Sequence, residues 1–214
     1  NIEGPAAIKS GLENNDFSLP IARLSEASKG VAVVEFKPDS DGVLRRTKPL
    51  REYQGKYFPV LGLAPFVDSN TPISSREGSI TINDRIIPLD ENGNSLINMY
   101  GLNKIDTYSM SGVFKTLQQL RKGEDGNLFL SPEIFKDSIV YIGASAIGAA
   151  DLKAIPMHPS APGVLLHAFQ ANNYLQNDFM KPASKWLTYL SIFVGVLLTT
   201  WAVMFSKRLL IRVM

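Results

Sequence analysis

The chain reads as an α/β domain with a mixed sheet, hairpins and flanking helices, followed by one transmembrane helix. Three observations predict this. Trp186 to Phe205 is a run of twenty residues without a charge, the length a bilayer core demands of a helix. Short β-branched runs are separated by Gly, Asn and Asp turns, as strands and hairpins require. Segments 110–122 and 163–176 space their apolar residues at helical intervals, which marks one buried face of each.

The elements follow in order. Residues 5–13 and 18–28 are polar and weakly helical. VAVVEF (31–36) is a β-branched run that predicts a well-buried strand. PDSDGV (38–43) predicts a turn, because Asp side chains bond their own backbone and Gly42 accepts positive φ. The extended residues after it would complete a hairpin with 31–36. Phe58-Pro59 reads as a helix start, with Pro65 ending that helix. Residues 69–78 read as a polar linker, and SITI (79–82) and RIIPL (85–89) as a hairpin. SLINMYG (95–101) is a further extended piece, and Met110, Val113, Phe114, Leu117 and Leu120 define a helix. Ser131-Pro132 suits an N-cap followed by a first-turn proline. SIVYIGA (138–144) is the clearest strand, apolar throughout, as expected of a central position covered on both faces. The stretch 151–162 reads as a loop. Gly163–Gln176 is the last helix before the span, with Val164, His167, Ala171 and Tyr174 on one face.

Composition limits the function classes. Lys and Arg total 22 against 20 acids, a net charge of +2. They are scattered, so nucleic acid is not an expected partner. The absence of cysteine excludes disulfides and thiolate zinc sites. The two histidines lack an HxxxH spacing, so no metal and no cofactor is expected. The chain opens at Asn1 without a secretory leader pattern and reads as a piece of a longer protein. Leu209–Ile211 resembles the start of a further hydrophobic segment. Lys181 and Lys185 precede the span, whereas Lys207, Arg208 and Arg212 follow it. That excess places the C-terminal side in the cytoplasm. The expected division is a soluble domain over 1–182, the span over 186–205 and a cytoplasmic stub over 206–214.

A few residues carry possible chemistry. GASAIGAAD (143–151) follows the apolar strand, so the backbone of Gly143, Ala144 and Ser145 is a candidate ligand site at a strand's carboxyl end. A plain strand-to-loop turn is the alternative. It is neither a Walker loop nor GxGxxG, and Ser145 lacks the second glycine of a nucleophile elbow. Asp151 and His167 form a candidate pair if the loop folds back to let the carboxylate hold the imidazole. The competing reading is a loop-capping Asp and a half-buried His. His158 lies in a proline-rich, solvated stretch. Of Arg45 and Arg46, at most one faces an anion, since neighbours on a strand point oppositely. Arg45 is the candidate.

The order DSDGVLRR (39–46), YFPVLGLA (57–64), IPLDENG (87–93), INMYG (97–101), FKDSIVYIGASAIGAAD (135–151) and PGVLLHA (162–168), then a span, resembles the CHASE type 2 domain. Leu165 and Ile155 stand where that family usually has Glu and Thr. The resemblance implies an extracytoplasmic sensory domain ahead of a cytoplasmic output such as an adenylate or guanylate cyclase, a histidine kinase or a Ser/Thr kinase. It implies an environmental or small-molecule stimulus, a membrane, and a homodimer, with the soluble part on the periplasmic side of the inner membrane. The alternative expectation is a membrane-tethered hydrolase or transferase using Asp151 and His167.

Overall fold

The computed structural model describes residues 21–53, 55–145, 151–181 and 183–205. The expected helix at 5–13, the far part of the glycine-rich turn and the basic residues after the span lie outside them. The chain divides into two units, Asn1–Met180 and Lys181–Met214.

In the first unit, α1 (Ala22–Ala27) precedes β1 (Arg46–Thr47), β2 (Leu50–Tyr53) and β3 (Lys56–Pro59). Then come β4 (Ile73–Arg76), β5 (Ser79–Ile82), β6 (Arg85–Pro88) and β7 (Ser95–Leu96). The unit continues with α2 (Met110–Lys122), β8 (Leu152–Ile155), β9 (His158–Pro162) and α3 (Gly163–Gln176). The described strands form small antiparallel sheets, β1–β7, β2–β3, β4–β5–β6 and β8–β9, with a parallel bridge from Val33 to Val60. The β4–β5–β6 meander alternates as its sequence requires. Ile80 and Ile82 point inward at 1% and 0% exposure, and Asn83 takes positive φ (54°) in the β5–β6 turn.

Helices α2 and α3 end where their sequences say they should. Gly123 at φ 74° closes α2 and Asn177 at φ 54° closes α3. Each donates its N–H to carbonyls of the last turn, the left-handed cap that glycine and asparagine favour. Helix α3 is the spine of the core. Its Leu166 and Phe169 pack with Leu44, Ile97, Met99, Ile155 and Ala161. Its Tyr174 packs with Leu50, Val60, Leu63, Ile80, Ile82 and Ile87.

Several expectations are corrected. The 38–43 turn forms, with Gly42 N–H donating to the Asp39 carbonyl at 2.9 Å. The strand after it pairs with β7, not with 31–36. Segment 31–36 is not deeply buried, since Val31 and Val34 are 39% and 63% exposed. The expected helix at 58 is instead β3, which hairpins with β2 around Gly55 at φ 74°. Aromatic residues at 57 and 58 suit a strand, and Pro59 sits at its end, where a missing donor costs little. Pro65 lies inside a short 3-10 turn, Ala64–Phe66. The expected linker at 69–78 contains β4, and the expected loop at 151–162 is the β8–β9 hairpin.

The largest correction concerns 138–144. The segment is extended but joins no ladder among the described residues. Ile139, Val140 and Ile142 are 40%, 52% and 76% exposed. A strand exists by pairing its backbone with a neighbour, and no described strand lies alongside. Two contacts hold the segment instead. The Tyr141 hydroxyl donates to the Gly62 carbonyl at 3.1 Å, and Gly143 abuts Val164.

In the second unit, α4 (Lys185–Phe205) contains an 18-residue stretch of mean hydropathy 1.8 and is long and apolar enough to cross a membrane. Thr188, Ser191 and Thr199 turn their hydroxyls onto carbonyls of their own helix. That satisfies them without an outside partner, as a hydrocarbon environment requires.

Candidate functional site

Of the candidate residues, Gly143, Asp151 and His167 lie at the first turns of α3. The β8–β9 hairpin returns the chain so that Leu152 faces Pro162, and the Gly163 N–H donates to the Asp151 carbonyl at 2.8 Å. The Asp151 carboxylate lies against Gly163, where any Cβ would stand 2.6 Å from both oxygens. A negative charge at a helix N-terminus is stabilised by the helix dipole. Lys153 accompanies it at 3.6 Å. Gly143 meets the same turn, since a Cβ there would lie 2.5 Å from that of Val164. Ala144 and Ser145 are exposed beside it.

His167 lies one turn along α3 and is buried at 5% exposure, not half-buried. Phe36 covers its ring at 4.6 Å between centroids, with the planes 37° apart. Burial lowers the imidazole pKa to about 4, against the opposing pull of Asp151 and Gln170. The ring is therefore neutral at pH 7. Its Nδ1 is buried with no hydrogen-bond partner among the described residues. Asp151 and His167 are thus brought into electrostatic range of one another, but no hydrogen bond joins them. A general base has to reach the proton it removes, and this imidazole is walled off.

Arg45 is engaged within its own turn, by Asp41 at 2.7 Å and Asp39 at 3.0 Å. Hydrogen bonds to both carboxylates raise its pKa, and the reciprocal bond lowers that of Asp41 to about 2. Arg46 bonds Asp90 at 3.0 Å and lies 3.1 Å from Asp39, close enough for ion pairing but poorly aligned for a hydrogen bond. These charges tie the 38–46 turn to the turn at 90–94.

Sequence reasoning passed over Phe36 and Gln170, which adjoin the His167 imidazole, and Gly62, which packs against the α3 backbone at the His167 carbonyl. It also passed over the polar clamp of Asn98, Tyr100, Asn173 and Asp178. Asn173 accepts from the Asn98 N–H and donates to the Asn98 carbonyl, both at 2.9 Å. Asn98 and Tyr100 both donate to Asp178, at 2.8 and 2.7 Å. The signal available was Asn98 within INMYG, an amide in an otherwise apolar run. An open groove of about 390 Å³ beside Tyr57, Asp68 and Thr71 includes none of the candidate residues. No group of three or more His, Cys, Asp or Glu among the described residues is arranged to hold a metal ion.

The described residues thus form a folded α/β unit and a helix long and apolar enough to cross a membrane. The CHASE2 domain family matches residues 5–204. The chain belongs to that family, whose members are extracytoplasmic sensory domains. No curated protein and no solved structure matches it.

Proposed function

We propose that this domain is the sensory part of a membrane-bound receptor. A stimulus outside the cytoplasmic membrane changes its conformation, and α4 carries the change to a cytoplasmic output domain. Family membership carries this reading. It is supported by the short stretch between the folded unit, ending at Met180, and the start of α4 at Lys185. So short a link transmits displacement better than a long flexible one. The output is a nucleotide cyclase, a histidine kinase or a Ser/Thr kinase, which act as dimers, and the sensor is accordingly a homodimer on the periplasmic side of the inner membrane. A stimulus moves such a system only by favouring one of two conformations. The tethered hydrolase reading has no comparable support, because Asp151 serves the α3 terminus and His167 is sealed.

Side and relay are tested separately. The chain has no cysteine, so a single Glu77→Cys on the exposed β4–β5 turn is a unique thiol. Labelling by a membrane-impermeant maleimide in intact spheroplasts is the expected result. Labelling only after lysis reverses the topology. For the relay, the chain is fused through α4 to a reporter histidine kinase. Reporter output unaffected by every domain variant that alters folding overturns the sensor reading.

A further inference from the structure

His167 is a titratable side chain set into the core without a hydrogen-bonding role for its Nδ1. Two side chains adjoin the ring, and a third residue packs on the His167 backbone. Phe36, from the 31–36 segment, lies over the ring. Gln170, on α3 itself, is 6% exposed, and its Oε1 is also buried with no hydrogen-bond partner among the described residues. The Gly62 backbone lies against the His167 carbonyl so closely that a Cβ would stand 2.7 Å from it.

The charged and titratable groups around the slot are few. Asp151 faces it from the loop before β8 and is paired with Lys153. Glu35 and Lys37 flank Phe36 but are exposed, with Glu35 directed toward Arg51 at 3.9 Å. Tyr141 approaches Gly62 through its hydroxyl, and burial raises its pKa to about 12, so it stays neutral. A neutral imidazole suits this slot. An imidazolium does not, because it has two N–H donors and a charge to solvate. Asp151, the Gln170 amide and the face of Phe36 all favour the cation, yet burial outweighs them.

The slot also holds something loosely attached. Segment 31–36 joins the unit through the Val33–Val60 bridge, with Val33 N–H donating to Pro59 at 2.9 Å and Leu61 N–H to Val33 at 2.8 Å. Among the described residues its further ties are Phe36, packed against the core, and the loose Glu35–Arg51 pair at 3.9 Å. Segments with few buried contacts open at low cost.

We propose that His167 and Phe36 form an acid-releasable clasp: protonation drives the imidazole out of its slot, frees segment 31–36, and makes external acidity a stimulus of this domain. The last step rests on the sensor reading, whereas the clasp itself does not. An opened state in which His167 titrates ordinarily is favoured over the closed state by up to about 300-fold when protonated. Between pH 7 and pH 4.5 the opening equilibrium rises about 60-fold.

The test is hydrogen exchange on the full 214-residue chain in nanodiscs, corrected for intrinsic rates, read at the Val33 and Leu61 amides. Exposure of both is expected to rise with acid by that factor while the Ile80 and Ile87 amides hold. In His167→Gln the acid response disappears. Unchanged protection in the wild type, or an equal acid response in His167→Gln, overturns the clasp. Should His167→Gln fail to fold, nitrogen NMR of the wild-type imidazole decides. Titration of His167 in step with Val33 exchange supports the clasp, and titration without any change in exchange overturns it. Opening that leaves the fused reporter kinase silent removes the sensory meaning and leaves the clasp standing.

Discussion

Replacing Gly62 by Ala tests whether α3 is the rigid spine of the domain. The added methyl would lie 2.6 Å from the Gln170 Cβ, 2.7 Å from its Oε1 and 2.7 Å from the His167 carbonyl. Carbon contacts are optimal at about 3.5–4.0 Å, so roughly 1 Å of space has to open. The Gln170 amide can rotate away. Its Cβ and the His167 carbonyl belong to the body of α3, which cannot retreat without disturbing the packing of Phe169 and Tyr174. Overpacking of this kind costs about 1–3 kcal/mol. The smaller backbone entropy of unfolded Ala returns about 0.4–1 kcal/mol. A net loss of about 1–2 kcal/mol is expected. Urea unfolding of the full chain in detergent, followed by circular dichroism, measures it. Tryptophan fluorescence does not, because Trp186 and Trp201 both lie in α4. Gly30→Ala is the control, since nothing lies within 4 Å of that Cβ. Equal midpoints for the two variants would refute the argument that α3 cannot yield.

Other consequences are as direct. Phe169→Ala empties a fully buried site and is expected to cost about 3–5 kcal/mol by the same unfolding assay. Asn173→Ala strands the Asn98 N–H and carbonyl, with an expected loss of about 1–3 kcal/mol; a loss no larger than that of an exposed Ala substitution counts against the clamp. His167 also makes stability fall with acid. Its folded pKa of about 4 lies below the unfolded 6.5, so between those values the unfolded chain binds more protons. The contribution is complete above pH 6.5 and is lost as pH drops toward 4, up to about 3 kcal/mol; a flat profile over that window in wild type contradicts the burial. Gly195→Arg in the middle of α4 adds about 2.5–3.5 kcal/mol to membrane insertion, and carbonate extraction is expected to release the variant while retaining the wild type.

The legible parts of the chain were those with local causes. Helices 110–122 and 163–176 match α2 and α3 in extent, because apolar spacing and left-handed caps are written within the segments themselves. The 79–89 hairpin follows from its Asn-Asp turn and alternating isoleucines. The misread parts depended on distant partners. VAVVEF and SIVYIGA have the same apolar, β-branched character as a central strand, and composition cannot supply the neighbour that a strand needs. The Phe58-Pro59 misreading came from giving a proline rule more weight than Gly55, whose positive φ closes the β2–β3 hairpin. At the site, Asp151 and His167 were visible as a pair of polar residues. Their separation into a helix-terminal carboxylate and a sealed imidazole was not.

By itself, the sequence determined a segment long and apolar enough to span a membrane, the helices at 110–122 and 163–176, the meander around Asn83 and the family, since each depends on residues close together or on motifs in fixed order. Tertiary structure alone decided which strands pair, that Phe36 covers the His167 ring, and that Arg45 is bound to the acids of its own turn. The physical reason is burial. A side chain's protonation, accessibility and partners depend on how much water the rest of the chain removes from around it, and that is a property of residues far apart in sequence.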